Sequence, residues 1–186
     1  MLHSQSPSQI NAYRAKTILP MDNSGRLISN GLLIVKDNTV QEIGDYKQLS
    51  KTYNGPVQDL GDCAIVPGLI NAHTHLELSH LQGQTVLEQG FETWVKSLLQ
   101  LPMKQIDKDT LNWVLSQLEQ SGTVCIGDIS GHNPQTVYKA LSESVLDYPL
   151  FLEFLGFKPP KNDNIDWPSH LSPNKTREVS VAGHAL

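Results

Sequence analysis

The sequence has few cysteines and no cluster of basic residues. Its 186 residues include 14 Lys and Arg against 19 Asp and Glu, which gives a formal net charge of −5. Because no basic patch is present to contact phosphates, nucleic acid is not an expected partner. The two cysteines, Cys63 and Cys125, have a spacing that matches no zinc or redox motif. Both are therefore expected to be buried free thiols.

Long apolar runs are also missing. A membrane-spanning helix needs about 20 predominantly apolar residues, and the apolar stretches of this sequence are short and interrupted. The first residues do not combine a basic start with an apolar core, so no signal peptide is expected. These absences predict a cytoplasmic protein without membrane contact.

The first 67 residues have the pattern of short strands and turns. Apolar residues make up 39% of the chain, which is enough for a globular core. Strand-like segments such as Gly31–Lys36 and Thr39–Ile43 are separated by turn residues, for example Asp37-Asn38. Residues 1–67 are therefore predicted to form a small all-β module.

The pattern changes after Pro67-Gly68, where short apolar strands begin to alternate with helical segments. This alternation predicts parallel βα units and an α/β fold. A (β/α)8 TIM barrel needs about 250 residues, and residues 68–186 supply four βα units, the first half of a barrel. The predicted strands are Leu69–Ala72, Thr123–Asp128, Tyr148–Leu155 and one beginning at Glu178; the predicted helices are Phe91–Leu101, Asp107–Gln120 and Pro134–Leu146; Lys158–Lys175 is a predicted loop.

His73 and His75 are the residues that most clearly indicate chemistry. Side chains two positions apart on a strand point to the same side, so the two imidazoles converge just past an apolar strand. Active sites of βα barrels lie at the carboxyl ends of the strands, and imidazole is a common ligand of zinc and similar divalent metals. The pattern therefore indicates a metal site, although a His-x-His pair taken alone is more often an ordinary surface or capping pair.

The residues around this pair resemble a known family. The segment Val66-Pro-Gly-Leu-Ile-Asn-Ala-His-Thr-His-Leu-Glu77 resembles the first barrel strand of the amidohydrolase superfamily. It is most similar to the branch of cyclic-amidine deaminases and triazine chlorohydrolases, including aminodeoxyfutalosine and S-adenosylhomocysteine deaminases. Weaker resemblances to later barrel strands follow in the family's order, at Ser121–Asp128, Leu152–Gly156 and Val181–Ala185. The resemblance implies that residues 1–67 form a small β-sandwich, composite and incomplete, followed by a distorted (β/α)8 barrel.

The resemblance also implies roles for individual residues. His73 and His75 would be ligands of one divalent metal ion, zinc in the first place, with iron and manganese as alternatives. Contacts to the substrate are implied for Glu92, Trp94 and His184, with support of a neighbouring residue as the alternative for His184. His132 follows the second predicted strand, where its side chain could reach a substrate. Other interpretations stay open. Trp94 has the helical spacing of a core residue, and His132 is also compatible with a loop residue that has no function.

Two further acidic residues have open roles. Glu77 shares the parity of the two histidines, so a solvent-facing, hydrogen-bonding or catalytic role is compatible with the pattern. Asp128 is expected to form hydrogen bonds within the barrel rather than to bind metal.

The implied reaction is hydrolysis of a non-peptide carbon–nitrogen bond, with deamination of a nucleoside-like or other aminated heterocycle by metal-activated water as the leading hypothesis. Dechlorination, cyclic amide hydrolysis and a non-catalytic remnant or interaction module are the alternatives.

In the family, the remaining metal ligands and the proton-transferring residues come from later strands, for which this sequence has no counterpart. No catalytic residue is therefore assigned within this chain. The chain is expected to be an apparently truncated, inactive and poorly stable N-terminal fragment, for which a complementary C-terminal half would be a further partner.

Overall fold

A computed structural model describes residues 10–103, 106–155 and 179–184. The predicted loop Lys158–Lys175 lies outside these residues. The chain divides into two compact units, Met1–Pro67 and Gly68–Leu186. Within the described residues, no helix is both long and apolar enough to cross a membrane.

The first unit contains a five-stranded mixed sheet. Its strands are β1 (Ile10–Ile18), β2 (Ile28–Lys36), β3 (Thr39–Asp45), β4 (Val57–Asp59) and β5 (Ala64–Ile65). The order is β3-β2-β1-β4, and β5 pairs with β1 beyond β4. The β2–β3 and β1–β2 pairs are antiparallel, whereas β4 and β5 run parallel to β1.

The β2–β3 hairpin turns at the predicted position. Asp37 and Asn38 both have positive φ, 49° and 61°, which is the conformation of a type I′ turn. Aspartate and asparagine tolerate this region better than other non-glycine residues. The sheet buries Ala12, Leu32 and Ile34, against which helix α1 (Tyr46–Leu49) packs. The described residues form one sheet, and a second layer of the predicted sandwich is not among them.

The prediction that both cysteines are buried is wrong for Cys63, which is exposed. Cys63 precedes β5, which has only two residues and pairs with β1 alone among the described strands, so little of the sheet covers it. Cys125 is half-buried on a central strand. Both thiols are free, as predicted.

The second unit contains a four-stranded parallel sheet in the order β6-β7-β8-β9. Its strands are β6 (Leu69–Thr74), β7 (Thr123–Ser130), β8 (Leu150–Leu155) and β9 (Val179–His184). A 3-10 helix over Leu76–Leu81 follows β6 directly, and the α-helices are α2 (Phe91–Leu99), α3 (Lys108–Gln120) and α4 (Pro134–Glu143). The four parallel strands and the helices between them confirm the predicted α/β class.

The core of this unit lies between the sheet and helices α3 and α4. Leu111 and Leu115 of α3 are four residues apart and face inward, as do Val137 and Leu141 of α4. They pack with Ile126 of β7 and with other buried residues of the sheet. Each fully buried side chain of this size stabilises the fold by about 1.5–3 kcal/mol. This packing anchors the middle strands, β7 and β8, against the two helices.

Asp107 determines where α3 begins. Its carboxylate accepts a hydrogen bond from the backbone nitrogen of Thr110 at 2.8 Å and another from the Thr110 hydroxyl. Both bonds favour the charged form and lower the pKa of Asp107 below its ordinary value, the backbone bond most. This is the N-cap arrangement that satisfies amides of the first helical turn.

Helix α2 and strand β6 each expose large apolar side chains. No residue of α2 is buried, and Phe91 is 77% exposed. On β6, Ile70 is 71% exposed. Within the described residues β6 pairs with β7 alone, so its other edge carries unpaired backbone groups.

Candidate metal centre

Parallel pairing brings the carboxyl ends of β6, β7, β8 and β9 to one edge of the sheet. The register sets Thr74 of β6 opposite Asp128 of β7, and Asp128 opposite Leu150 of β8. His73, Ser130 and His184 therefore lie at or near the ends of their strands on the same edge. Active sites of barrel enzymes lie at this edge.

His73 and His75 lie next to each other at the end of β6. Their ring centroids are 5.2 Å apart and the rings meet edge to face, at 67°. His73 is exposed and His75 is half-buried, so both rings border accessible space. The structure thus brings together the two residues that the sequence predicts as metal ligands.

The donor set fits part of a zinc site. Two adjacent imidazoles at the end of one strand suit a divalent metal, but a catalytic zinc ion takes three protein ligands as a rule. In the described ranges, no group of three or more His, Cys, Asp or Glu side chains lies close enough to hold a metal ion. His73 and His75 therefore fit as two ligands of a centre that needs at least one more.

Asp128 lies at the end of β7 and is completely buried. Its Oδ1 accepts hydrogen bonds from the backbone nitrogen of Leu76 and from the hydroxyl of Thr74, both at 2.8 Å. These two donors precede and follow His75 in the chain. The prediction that Asp128 forms hydrogen bonds within the barrel is confirmed, and its bonds hold the segment that carries the histidines.

Burial raises the pKa of Asp128 to about 7. The two hydrogen bonds favour the charged carboxylate and oppose this shift, whereas the nearby Glu77 raises the pKa further. Within the described part of the chain, the second oxygen of Asp128, Oδ2, is buried without a hydrogen-bond partner. The group therefore changes charge near neutral pH.

Glu77 is also buried, with 1% of its surface exposed. Its Oε2 accepts hydrogen bonds from the Ser130 hydroxyl at 2.7 Å and from the backbone nitrogens of His132 and Asn133 at 2.8 and 2.7 Å. Its Oε1 accepts a fourth from the Gly131 nitrogen at 2.9 Å. Successive backbone N–H groups that surround one carboxylate form an anion-binding nest. The solvent-facing interpretation of Glu77 is wrong, and the hydrogen-bonding one is correct.

The four donors to Glu77 explain why sequence reasoning underestimated this residue. Parity along a strand applies only while the strand continues, and β6 ends at Thr74 before the 3-10 helix begins at Leu76. The sequence feature that could have indicated the role of Glu77 is the segment of residues 131–133, which supplies its hydrogen-bond donors. The amides of residues 131–133 lie beyond β7, so they need acceptors from outside the sheet.

Glu92 and Trp94 lie on α2. The Glu92 carboxylate pairs with the Lys96 ammonium one turn later at 2.6 Å, and both side chains are largely exposed. Trp94 is half-buried and packs against Phe91, with ring centroids 5.7 Å apart. Neither contact joins them to the histidine pair, so their substrate contacts stay predictions.

His132 and His184 lie at the same edge of the sheet as His73 and His75. His132 is exposed and follows β7, and its backbone nitrogen is held by Glu77. His184 is the last residue of β9, and its side chain lies outside the described part of the structure. Their position at the strand ends is compatible with contact to a substrate, which stays a prediction for both.

Comparison with known proteins identifies relatives of this chain. It is 34% identical over 128 residues to an adenosine deaminase of Helicobacter pylori, an alignment that covers 66% of this chain and 30% of the relative. It is 28% identical over 123 residues to a 5-methylthioadenosine/S-adenosylhomocysteine deaminase of Bacillus cytotoxicus, covering 63% of this chain and 28% of the relative. The chain thus spans less than a third of the length of these relatives.

The fold is shared with the crystal structure of aminofutalosine deaminase from Helicobacter pylori in complex with methylthio-coformycin. The TM-score is 0.73 at 22% sequence identity, over 94% of this chain and 43% of that protein. The parallel sheet thus corresponds to part of a TIM barrel. The model of the amidohydrolase family matches residues 64–182, which include the histidine pair, Glu77 and Asp128. This chain belongs to the amidohydrolase family.

Proposed function

We propose that this chain supplies the first metal-binding strand of a hydrolase that deaminates an aminated heterocycle. The observation that carries the proposal is the pairing of His73 and His75 at the carboxyl end of β6, inside the region that matches the family. The relatives are named as deaminases of adenosine and of adenosine derivatives. An aminated purine nucleoside is therefore the substrate class that we infer.

Zinc is the metal that we infer, with iron and manganese as alternatives. Members of the family are generally metal-dependent, and the imidazole pair suits a divalent ion of this kind. When bound, such an ion lowers the pKa of a water ligand and so supplies a hydroxide for hydrolysis. The role of His73 and His75 is to hold the ion at the barrel edge.

The substrate would lie above the same edge of the sheet. His132 and His184 follow β7 and end β9 there, and both carry groups that donate to or accept from a heterocycle. Glu92 and Trp94 would contribute from α2, where Phe91 and Trp94 present exposed and half-buried aromatic surface suited to a purine ring. We infer substrate contact for all four.

A complementary C-terminal half is the partner that we infer. Among the strands that the structure describes, β6 is paired along one edge only, which supports it, because an unpaired strand edge with exposed apolar side chains such as Leu69 and Ile70 is a surface that proteins normally cover. The third metal ligand and the proton-transferring residues would come from that half. The cytoplasm is the compartment that we infer, since both thiols are free.

Metal and nucleoside binding test this function. The purified chain is dialysed against zinc or cobalt, and bound metal is measured for the wild type and for His73→Ala and His75→Ala. Adenosine and 5-methylthioadenosine are then titrated in the presence of zinc, with inosine as the deaminated control, and ammonia release is followed.

Metal binding that depends on both histidines, together with saturable binding of the aminated nucleosides, would support the proposal. Metal binding unchanged in both variants would refute it. Ammonia release by the chain alone would support the reaction class and overturn the inference that a second half is required.

A further inference from the structure

Two buried carboxylates connect the ends of β6 and β7, and each one accepts hydrogen bonds from the opposite strand end. Asp128 of β7 accepts hydrogen bonds from Thr74 and Leu76, at the end of β6 and just after it. Glu77, which follows β6, accepts hydrogen bonds from residues 130–133 at the end of β7. We call this pair of carboxylates with their six donors the reciprocal clasp.

The geometry points to a positioning function for the clasp, an inference that rests on the proposed metal site. We propose that Asp128 sets the orientation of the metal ligand His75, and that Glu77 sets the position of the segment that carries His132. Neither carboxylate would touch the metal or the substrate.

The bonds to Asp128 constrain His75 from both sides. One donor is the side-chain hydroxyl of the residue before it and the other is the backbone nitrogen of the residue after it, so both neighbours of His75 are tied to β7. His75 itself has φ −129° and ψ 76°, which belongs neither to a regular strand nor to the 3-10 helix that follows. A residue at such a junction keeps one orientation only if its neighbours are held, and a metal ligand needs that orientation fixed.

The bonds to Glu77 perform the equivalent function on the next strand. Three consecutive amides, those of Gly131, His132 and Asn133, point at one carboxylate within 2.9 Å. Removing the carboxylate leaves these amides without their acceptor, at a cost that favours rearrangement of the segment. His132 would then lose its place at the rim.

Burying two carboxylates near each other is costly, as the raised pKa of Asp128 shows. A core of apolar side chains would stabilise the strand ends without that cost. Hydrogen bonds, in contrast, define direction, because each donor must point at its acceptor. The site thus gives up stability for a fixed orientation, which is what metal ligation requires.

The first test uses variants that remove or keep single bonds of the clasp. Thr74→Val removes one donor to Asp128, and Thr74→Ser keeps it. Asp128→Ala removes the acceptor, and Asp128→Asn keeps the oxygen Oδ1. Leu115→Ala, in the core of the same unit, is the control for general loss of stability. Each folded variant is titrated with cobalt, whose binding is followed by its absorption spectrum.

We expect Thr74→Val and Asp128→Ala to weaken cobalt binding by about 10- to 100-fold, the usual effect of removing a partner that supports a ligand. Thr74→Ser, Asp128→Asn and Leu115→Ala should bind within about threefold of wild type. Equal affinity in all variants would overturn the proposal. An equal loss in Leu115→Ala would also overturn it, because the effect would then be one of stability.

The second test needs no metal. Nuclear Overhauser effects between the rings of His73 and His75, and hydrogen exchange of the amides of Leu76 and of residues 131–133, are measured in the metal-free chain. Thr74→Val should weaken the ring contact and speed exchange at Leu76. Glu77→Gln should speed exchange at residues 131–133 and leave Leu76 unchanged.

The two tests separate this proposal from the proposed function. If the wild type binds no cobalt but the exchange pattern follows the clasp, His73 and His75 do not hold a metal ion by themselves, and the positioning function stands. If the wild type binds cobalt and the ring contact and exchange rates are the same in every variant, the metal site stands and the clasp has no positioning function.

Discussion

The Oδ1 atom of Asp128 lies 2.8 Å from the backbone nitrogen of Leu76, 52 residues earlier in the chain. The same oxygen accepts a hydrogen bond from Thr74, so one buried carboxylate holds both neighbours of His75. The charge of this carboxylate and the packing around it lead to measurable consequences for stability, metal binding and ligand binding.

Stability should depend on pH through Asp128. Burial raises the folded-state pKa from 3.8 to about 7, so between these values the folded chain holds a proton that the unfolded chain has released. The free energy of unfolding is therefore expected to fall as pH rises through this interval and to level off above it. Urea unfolding at a series of pH values, with chelator present, measures this free energy.

Asp128→Asn is the matched control for this pH dependence. It keeps the acceptor oxygen and removes the titrating group, so the decline in the free energy of unfolding between pH 3.8 and about 7 should be reduced. The same decline in wild type and variant would show that another group is responsible.

Metal binding should require both histidines at the end of β6. His73→Ala and His75→Ala are each expected to reduce zinc affinity at least about tenfold, because each removes one of two adjacent imidazoles. Isothermal titration with zinc provides the measurement. Cys63→Ser, at the exposed thiol of the first unit, is the control for adventitious binding. Loss of affinity in that variant alone would place the metal elsewhere.

Gly127→Ala should weaken the contact between β6 and β7. A Cβ atom at this position would lie 2.5 Å from the backbone oxygen of Ala72 on the neighbouring strand. Because this distance is too short for a contact, one of the two strands would have to shift. Overpacking of this kind costs about 1–3 kcal/mol of unfolding free energy. At Gly131 the nearest atom would be 3.3 Å away, so Gly131→Ala should cost less. Thermal or urea unfolding measures the loss of unfolding free energy in both variants. An equal loss in the two would contradict the close approach of Gly127 to β6.

Glu92 allows substrate contact to be separated from stability. Its carboxylate is largely exposed and pairs with Lys96 one helical turn away, and such a pair contributes only about 0.3–0.5 kcal/mol. Glu92→Gln should therefore leave the unfolding transition nearly unchanged. If Glu92 contacts the substrate, the variant should weaken adenosine binding several-fold, and Lys96→Gln, the control for loss of the ion pair, should not. Equal adenosine affinity in the wild type and both variants would show that Glu92 does not contact the substrate.

Local sequence patterns were sufficient to predict many elements of the fold. Helix α3 lies within the predicted segment Asp107–Gln120, as its apolar spacing predicts, and Asp107 is its cap. The hairpin at Asp37-Asn38 follows from two residues that tolerate positive φ. The parallel strands follow from the alternation of short apolar runs with helices. In each case the causes lie within a few residues of the feature.

The sequence by itself also determined that His73 and His75 lie close together, because only Thr74 separates them. The roles of Asp128 and Glu77 were decided by the tertiary structure alone. Their donors lie 52 to 56 residues away along the chain and meet them only when β6 and β7 pair in register. A hydrogen bond depends on distance and direction in space, and neither is encoded in the local pattern around one residue.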